Sequence, residues 1–311
     1  MNPEVRRAAE ILRAGGLVAF PTETVYGLGA DASNAQAVAR LYAVKRRPAA
    51  HPVIVHFAAP ENAFAFAREV PEAARILSKE FWPGPLTLIL KRSGKAADFV
   101  TGSQDSVGLR VPSHPVAQAL LREFGGGIAA PSANRFGLLS PTTAAHVRAD
   151  LGADVDLVLD GGASEVGIES TIVDLSGDAA VLLRPGGISK SSLEKIIPVQ
   201  EKSTASPRHS GGLEQHYAPR TRLRVVPTHG LDQEISRLKD RVAVLAFSRP
   251  DERVDFWLRM PREPQPYAHR LYAALRELDG AGCALILVEA PPATPEWAAV
   301  NDRLNRAGAK A

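Results

Sequence analysis

Apolar residues along the first two hundred positions switch between two periods. Val5, Ala8, Ala9 and Leu12 recur at three- and four-residue spacing, so they share one helical face, and Gly15-Gly16 supplies a stop. LVAF (17–20) is a short continuous apolar run of the buried-strand type and leads into a polar turn, PTETVYGLGA (21–30). Val38, Leu41 and Tyr42 mark a second helix that ends at Lys45-Arg46-Arg47, with Pro48 behind it. HPVIVHF (51–57), LTLIL (86–90) and VGLRV (107–111) read as strands, with WPGP (82–85) as a rigid turn before the second. VAQALLREF (116–124) is helical, and IAAPSAN (128–134) is a strand running into small polar residues. LVLD (157–160), TIVDL (171–175) and AAVLLR (179–184) add further strands. Ser191-Ser192-Leu193-Glu194 has the form of a capping box opening a short last helix.

The pattern changes at residue 198. Residues 198–222 are polar, rich in Ser, Gly and Pro and poor in aliphatic side chains, and read as an interdomain linker. Beyond them strands (223–226, 242–247, 283–289) alternate with helices (231–240, 267–278, 295–308), the signature of a small parallel α/β domain. The expected organisation is therefore a first domain over 1–197, a linker over 198–222 and a second domain over 223–311.

Composition narrows the function classes. The chain has 311 residues, enough for two domains of roughly 150 residues each. One cysteine, Cys283, excludes a disulfide framework, a cysteine-rich zinc site and an iron–sulfur cluster. No apolar run approaches the roughly 18 residues of a membrane span, and the charged N-terminus lacks a signal-peptide core, so a cytoplasmic location is the expectation. Lys and Arg number 37 against 34 Asp and Glu, a surplus of +3 that is too small to imply nonspecific nucleic-acid binding.

Covalent catalysis is not advertised: the phosphate loop GxxxxGK[ST], the GxSxG elbow and the HExxH metal helix are all missing. What stands out are short polar residues at strand ends. Thr22, Glu23 and Thr24 follow strand 17–20, Ser132 and Asn134 follow strand 128–131, and Ser170 precedes strand 171–175. In an α/β sheet such ends line a ligand crevice, although the same residue types also make turns and caps. Arg110 inside VGLRV and Arg184 closing AVLLR sit among apolar flanks, so each needs an anionic partner. That partner is either an in-chain carboxylate such as Asp160 or Glu169, or a phosphate or carboxylate ligand. Lys45-Arg46-Arg47 alone reads as a solvated face, His56 as a core or pocket histidine, and Glu23 as a turn residue rather than a metal ligand. Tyr217, an aromatic in the linker, fits a lid that folds over a ligand.

Taken in order, PTETVYGLGADA, the K-x-R-P of Lys45 to Pro48, HPVIVHF, WPGPLTLIL, VGLRVPSHP, APSAN, SPT, GIESTIVDL and LLRPG resemble the YrdC-like family of threonylcarbamoyl-AMP synthases over residues 5–197. HYAP (216–219) and the closing AAVNDRLNRA are similar to its two-domain form. The resemblance implies a twisted open α/β sheet with a concave cavity, followed by a small Rossmann-like parallel α/β domain. It also implies the joining of L-threonine, bicarbonate or CO2, and ATP into threonylcarbamoyl-AMP, with Mg²⁺ bound along with ATP. The product then serves modification of tRNA adenosine 37. Residue by residue, the resemblance assigns Thr22, His56, Arg110 and Ser170 to threonine. It assigns Lys45, Arg47, Ser106, Ser132, Asn134, Ser140, Arg184 and Tyr217 to ATP, with Lys45 and Arg47 as the catalytic cations. A tRNA or double-stranded RNA contact and a downstream tRNA-modification enzyme are the implied partners. The sequence departs from the family at Ser210-Gly211, where relatives often carry Pro-Gly, and at His51, where they carry Asn.

Two other functions fit the same fold. One is a binding module for double-stranded RNA or tRNA, disfavoured by the near-neutral charge and by the lack of interleaved aromatic and basic residues. The other is carbamoyl transfer as in hydrogenase-maturation proteins, whose cysteine-rich segments are missing here.

Overall fold

The structure, a computed structural model, describes residues 2–202, 206–213 and 216–309. The chain forms two compact units, one of residues 1–136 and 141–212, the other of residues 137–140 and 213–311. Part of the expected linker, 203–205 and 214–215, lies outside the described residues.

The first unit is built on a ten-stranded mixed sheet. Its strands are β1 (Val18–Phe20), β2 (Gly27–Asp31), β3 (Ile54–His56), β4 (Leu86–Lys91), β5 (Ser106–Arg110), β6 (Ile128–Ala129), β7 (Leu157–Val158), β8 (Thr171–Asp174), β9 (Val181–Arg184) and β10 (Gln200–Glu201). They lie in the order β10-β9-β8-β4-β5-β3-β6-β2-β1-β7. The helices are α1 (Pro3–Arg13), α2 (Ala35–Lys45), α3 (Pro60–Phe64), α4 (Glu72–Phe81), α5 (Asp98–Thr101), α6 (Pro115–Phe124), α7 (Ala144–Leu151) and α8 (Lys190–Glu194).

Period-2 alternation divides the sheet between two cores. Leu86, Leu88 and Leu90 of β4 join Leu109, Val55, Leu28 and the buried faces of α2 and α4 in the larger core. Val18 and Phe20 of β1 turn to the other side, where Val5, Ala8, Ala9 and Leu12 of α1 meet Ala117, Leu120 and Leu121 of α6. Residues on the remaining part of that second face, including Ile54, Ile89 and Ile172, belong to neither core and form their own small cluster.

Local differences from the sequence reading have local causes. PTETVYGLGA is not all turn: its second half is β2, held by antiparallel pairing to both β1 and β6. The last short helix of this unit starts at Lys190, and its cap is Ser189, whose side chain accepts from Ser192 N, so the expected Ser191 box is not the opening used. The polar stretch after 198 contains β10, paired in parallel with β9.

The second unit carries a four-stranded parallel sheet of β11 (Arg222–Val226), β12 (Val242–Ala246), β13 (Phe256–Arg259) and β14 (Leu285–Glu289), in the order β11-β14-β12-β13. Helices α9 (Leu231–Arg237), α10 (Pro264–Asp279) and α11 (Ala298–Ala307) complete it. Among the described residues no helix is long and apolar enough to cross a membrane.

Candidate active site

The site begins as a row across five strands of the first unit. His56 on β3 is in register with Arg110 on β5, Arg110 with Thr87 on β4, Thr87 with Ile172 on β8, and Ile172 with Arg184 on β9. Residues in register project to one face of a sheet. The row therefore places two arginines and a histidine on the face that carries the small Ile54, Ile89 and Ile172 cluster. A cleft opens over this face, with Ile54, Ile89, Ile172 and Gly108 as an apolar floor and Thr87, Ser106 and Gln104 among its polar groups. Residues 208–210 of the polar stretch form part of its wall. The Gln104 carboxamide fastens them there, accepting from Arg208 N at 2.7 Å and donating to Arg208 O at 3.0 Å.

The K-x-R segment acquires its geometry from the end of α2. Arg46 adopts a left-handed backbone (φ 54) and closes the helix with Arg46 N to Ala43 O and Arg47 N to Tyr42 O. This C-terminal cap turns Arg46 outward and leaves Lys45 and Arg47 buried, so two of the three cations are not the solvated face that composition suggests. Lys45 Nζ donates to the carbonyls of Ser132 (2.5 Å) and Asn134 (2.6 Å). The strand-end residues Ser132 and Asn134 thus meet the helix-end lysine. Burial, and next the Arg47 charge, hold the Lys45 ammonium well below the ordinary lysine value. Arg47 packs over the Phe136 ring at 5.3 Å and donates to Pro52 O and to Ser210 Oγ.

Arg184 connects the row to the next strand end. Its Nε and Nη2 donate to Ser170 O at 3.0 and 2.9 Å, Nη2 also to Ser170 Oγ at 3.1 Å, and Nη1 to Ser210 O at 3.0 Å. Ser170 Oγ in turn pairs with Thr87 Oγ1 at 2.8 Å. Thr87 is not among the candidates that sequence reasoning offers, although a lone threonine alternating with Leu86 and Leu88 is the polar position on the opposite face.

Arg110 has an in-chain carboxylate partner, but neither Asp160 nor Glu169. Its Nη2 reaches Glu23 Oε1 at 2.6 Å and Thr24 Oγ1 at 2.9 Å, and Ser113 N donates to the other Glu23 oxygen at 3.0 Å. Glu23 therefore does more than turn the chain. Burial pushes its carboxyl up, but the Arg110 charge and the bonds from Arg110 and Ser113 outweigh burial and hold it below its ordinary value. Thr22 Oγ1 pairs with Thr24 Oγ1 at 2.8 Å and donates to Val25 O at 2.6 Å.

Ten of the twelve assigned residues fall in this unit; Ser140 and Tyr217 fall in the second. There the Ser140 carbonyl accepts from Arg276 Nε at 3.5 Å. The Tyr217 ring lies under the Arg303 guanidinium at 4.9 Å and 6.1 Å from Tyr272, with its backbone at φ 60.

Comparison with known proteins matches both parts of the chain. The Sua5/YciO/YrdC family profile, described as telomere recombination, covers residues 10–186, and one described as threonylcarbamoyl-AMP synthase, C-terminal domain, covers 188–309. The threonylcarbamoyl-AMP synthase of Pyrococcus abyssi is 39% identical over 98% of this chain and 94% of its own. That of Bacillus subtilis is 40% identical over 98% and 93%. The chain belongs to the threonylcarbamoyl-AMP synthase family. The crystal structure of P. abyssi Sua5 complexed with L-threonine superposes with a TM-score of 0.93 at 37% identity, covering 98% of this chain and 94% of that one.

In this member of the synthase family His56 is a buried neutral group. Burial first, and the Arg110 charge second, lower its imidazole from 6.5 to about 3. Between these values the unfolded chain binds a proton that the folded synthase does not, so stability is full above about 6.5 and falls as pH drops through the window. The slope is roughly 1.4 kcal/mol per pH unit. The urea midpoint is expected to fall between pH 7 and pH 5, and to fall less steeply in His56→Asn. His51, also lowered by burial and by the Arg47 charge, contributes in the same direction to both proteins. Equal slopes in the two proteins would show that His56 titrates normally.

Proposed function

We propose that this chain makes threonylcarbamoyl-AMP from L-threonine, bicarbonate or CO2, and ATP, with release of pyrophosphate. The observation that carries the reading is the gathering of four buried cations, Lys45, Arg47, Arg110 and Arg184, in one unit, with Arg47 and Arg184 both reaching cleft-wall Ser210. The reaction joins anions: a carbamate oxygen of the threonine adduct attacks the α-phosphorus and pyrophosphate leaves. No protein nucleophile is required. The protein has to hold like charges together, offset their repulsion and align the attacking oxygen with the leaving group.

The candidate residues divide this task. Arg110, His56, Thr22 and Ser170 hold threonine, with Arg110 on its carboxylate. Lys45 and Arg47, with Ser132, Asn134, Ser106 and Arg184, hold the nucleotide and take up charge developing on the phosphates. Lys45, Arg47 and Arg184 are kept in place by backbone carbonyls and serine oxygens. A triphosphate binds such cations more strongly than carbonyls do. It also reverses the loss of proton affinity that burial imposes on Lys45. Mg²⁺ enters as part of the Mg·ATP substrate. Both oxygens of Glu23 are engaged by Arg110 and Ser113, so phosphate oxygens and water supply the metal's ligands, the usual arrangement for this ion. The threonine half of the assignment is supported by the likeness to P. abyssi Sua5, whose crystal structure is of its complex with L-threonine.

The product is a mixed anhydride that donates its threonylcarbamoyl group to tRNA adenosine, so a downstream tRNA-modification enzyme consumes it. The test is pyrophosphate release by the purified full-length chain with Mg·ATP, threonine and bicarbonate each supplied or withheld. Release that needs both co-substrates is expected. Release indifferent to threonine would refute the assignment.

A further inference from the structure

Two residues in register on the site row, Arg110 and His56, each carry a buried polar atom with no hydrogen-bond partner: Arg110 Nε and His56 Nδ1. Both residues are almost fully buried, at 4% and 3% exposure. A buried polar atom without a partner carries its full desolvation cost, so two of them on adjacent strands mark a place for a ligand group. What selects these atoms is Glu23. Its carboxylate takes Arg110 Nη2 at 2.6 Å, while Ser113 N anchors the carboxylate from the other side. Thr24 Oγ1 takes a second bond from the same Nη2. An arginine has five N–H donors in a rigid plane, so fixing one nitrogen on two acceptors fixes the direction of the others.

Resting on the proposed function, we propose that Glu23 is a positioning residue of the threonine subsite: it locks the Arg110 guanidinium so that the free Nε–H, beside His56, is presented to the carboxylate of threonine. Glu23 touches neither ATP nor the reacting atoms in this arrangement. Its effect is therefore confined to threonine. Gln at position 23 keeps the length of the side chain but loses the charge, and its amide oxygen can satisfy Arg110 or Ser113 but not both. Asp keeps the charge and shortens the reach.

The experiment is calorimetric titration of the full-length wild type, Glu23→Gln and Glu23→Asp with L-threonine and, separately, with Mg·ATP, together with each protein's thermal midpoint. The expected result is threonine binding weakened about tenfold or more in Glu23→Gln, the factor a misdirected charge-assisted bond carries. ATP binding should stay within about twofold, and Glu23→Asp should recover part of the threonine affinity. Unchanged threonine affinity in Glu23→Gln, with a wild type that binds threonine, would overturn this inference and leave the proposed function standing. Equal losses for threonine and ATP with a lowered thermal midpoint would also overturn it, since the residue would then be structural. A wild type that does not bind threonine would overturn the proposed function itself, and this inference with it.

Discussion

Lys45→Ala is expected to abolish adenylate formation, lowering kcat/KM by on the order of a thousandfold or more, the range seen when a cation that meets transferring phosphates is removed. The argument rests on position. Lys45 is the last residue of α2, is 1% exposed, and holds the carbonyls of Ser132 and Asn134 at the point where strand β6 gives way to a loop. A lysine that only stapled a helix end to that loop would matter for stability alone. Removing the buried ammonium relieves its own desolvation cost but leaves two buried carbonyls unpaired, so a lowered thermal midpoint is expected beside the loss of activity. Lys45→Arg should not restore activity, because a planar fork cannot occupy the space of a point charge held between two carbonyls. Initial rates and thermal midpoints of the three proteins check the account. Near-wild-type turnover in Lys45→Ala would remove the residue from the nucleotide site.

The second large effect is expected at Arg184. Arg184→Ala should lower kcat/KM by roughly 100- to 10,000-fold, and, unlike Lys45→Ala, it should raise the KM for threonine as well as that for ATP. The reason is that one guanidinium reads two parts of the site. Nε and Nη2 fix Ser170, which also meets Thr87 on the site row, and Nη1 fixes Ser210 in the cleft wall. Alanine frees both at once, and lysine cannot replace a fork whose three nitrogens are all engaged. Separate KM values for the two substrates check this. An effect on ATP alone would show that the Ser170 contact has no bearing on threonine.

How far the sequence reaches is visible in these same residues. Arg110 and Arg184 stand out because an arginine within an apolar strand demands a partner, and both are buried in the site region. The partner itself is not legible. Glu23 lies 87 positions from Arg110, and the two meet although three strands separate β1 from β5 in the sheet, which no local pattern reveals. Thr87 escapes notice, and Ser210 is seen only as a departure from the family, for a similar reason: a threonine in LTLIL and a serine in a polar stretch are ordinary until the register and the cleft wall place them. Strand β2 is hidden because Gly27-Leu28-Gly29-Ala30-Asp31 has almost no strand propensity. Its strand state comes from the neighbours on either side, and Gly29 allows their close approach, since a Cβ there would lie 2.9 Å from both Ile128 and Phe20. The parallel sheet of the second unit is the more legible part, because its apolar strands and amphipathic helices alternate cleanly, with only β13 missed.

The measurement that tests the central claim most directly is the mass of the nucleotide product formed with ¹³C-bicarbonate, L-threonine and Mg·ATP. The account predicts a threonylcarbamoyl adenylate that carries one ¹³C and forms together with pyrophosphate. A product without the label, or AMP and pyrophosphate formed in the same yield when threonine is withheld, would contradict it.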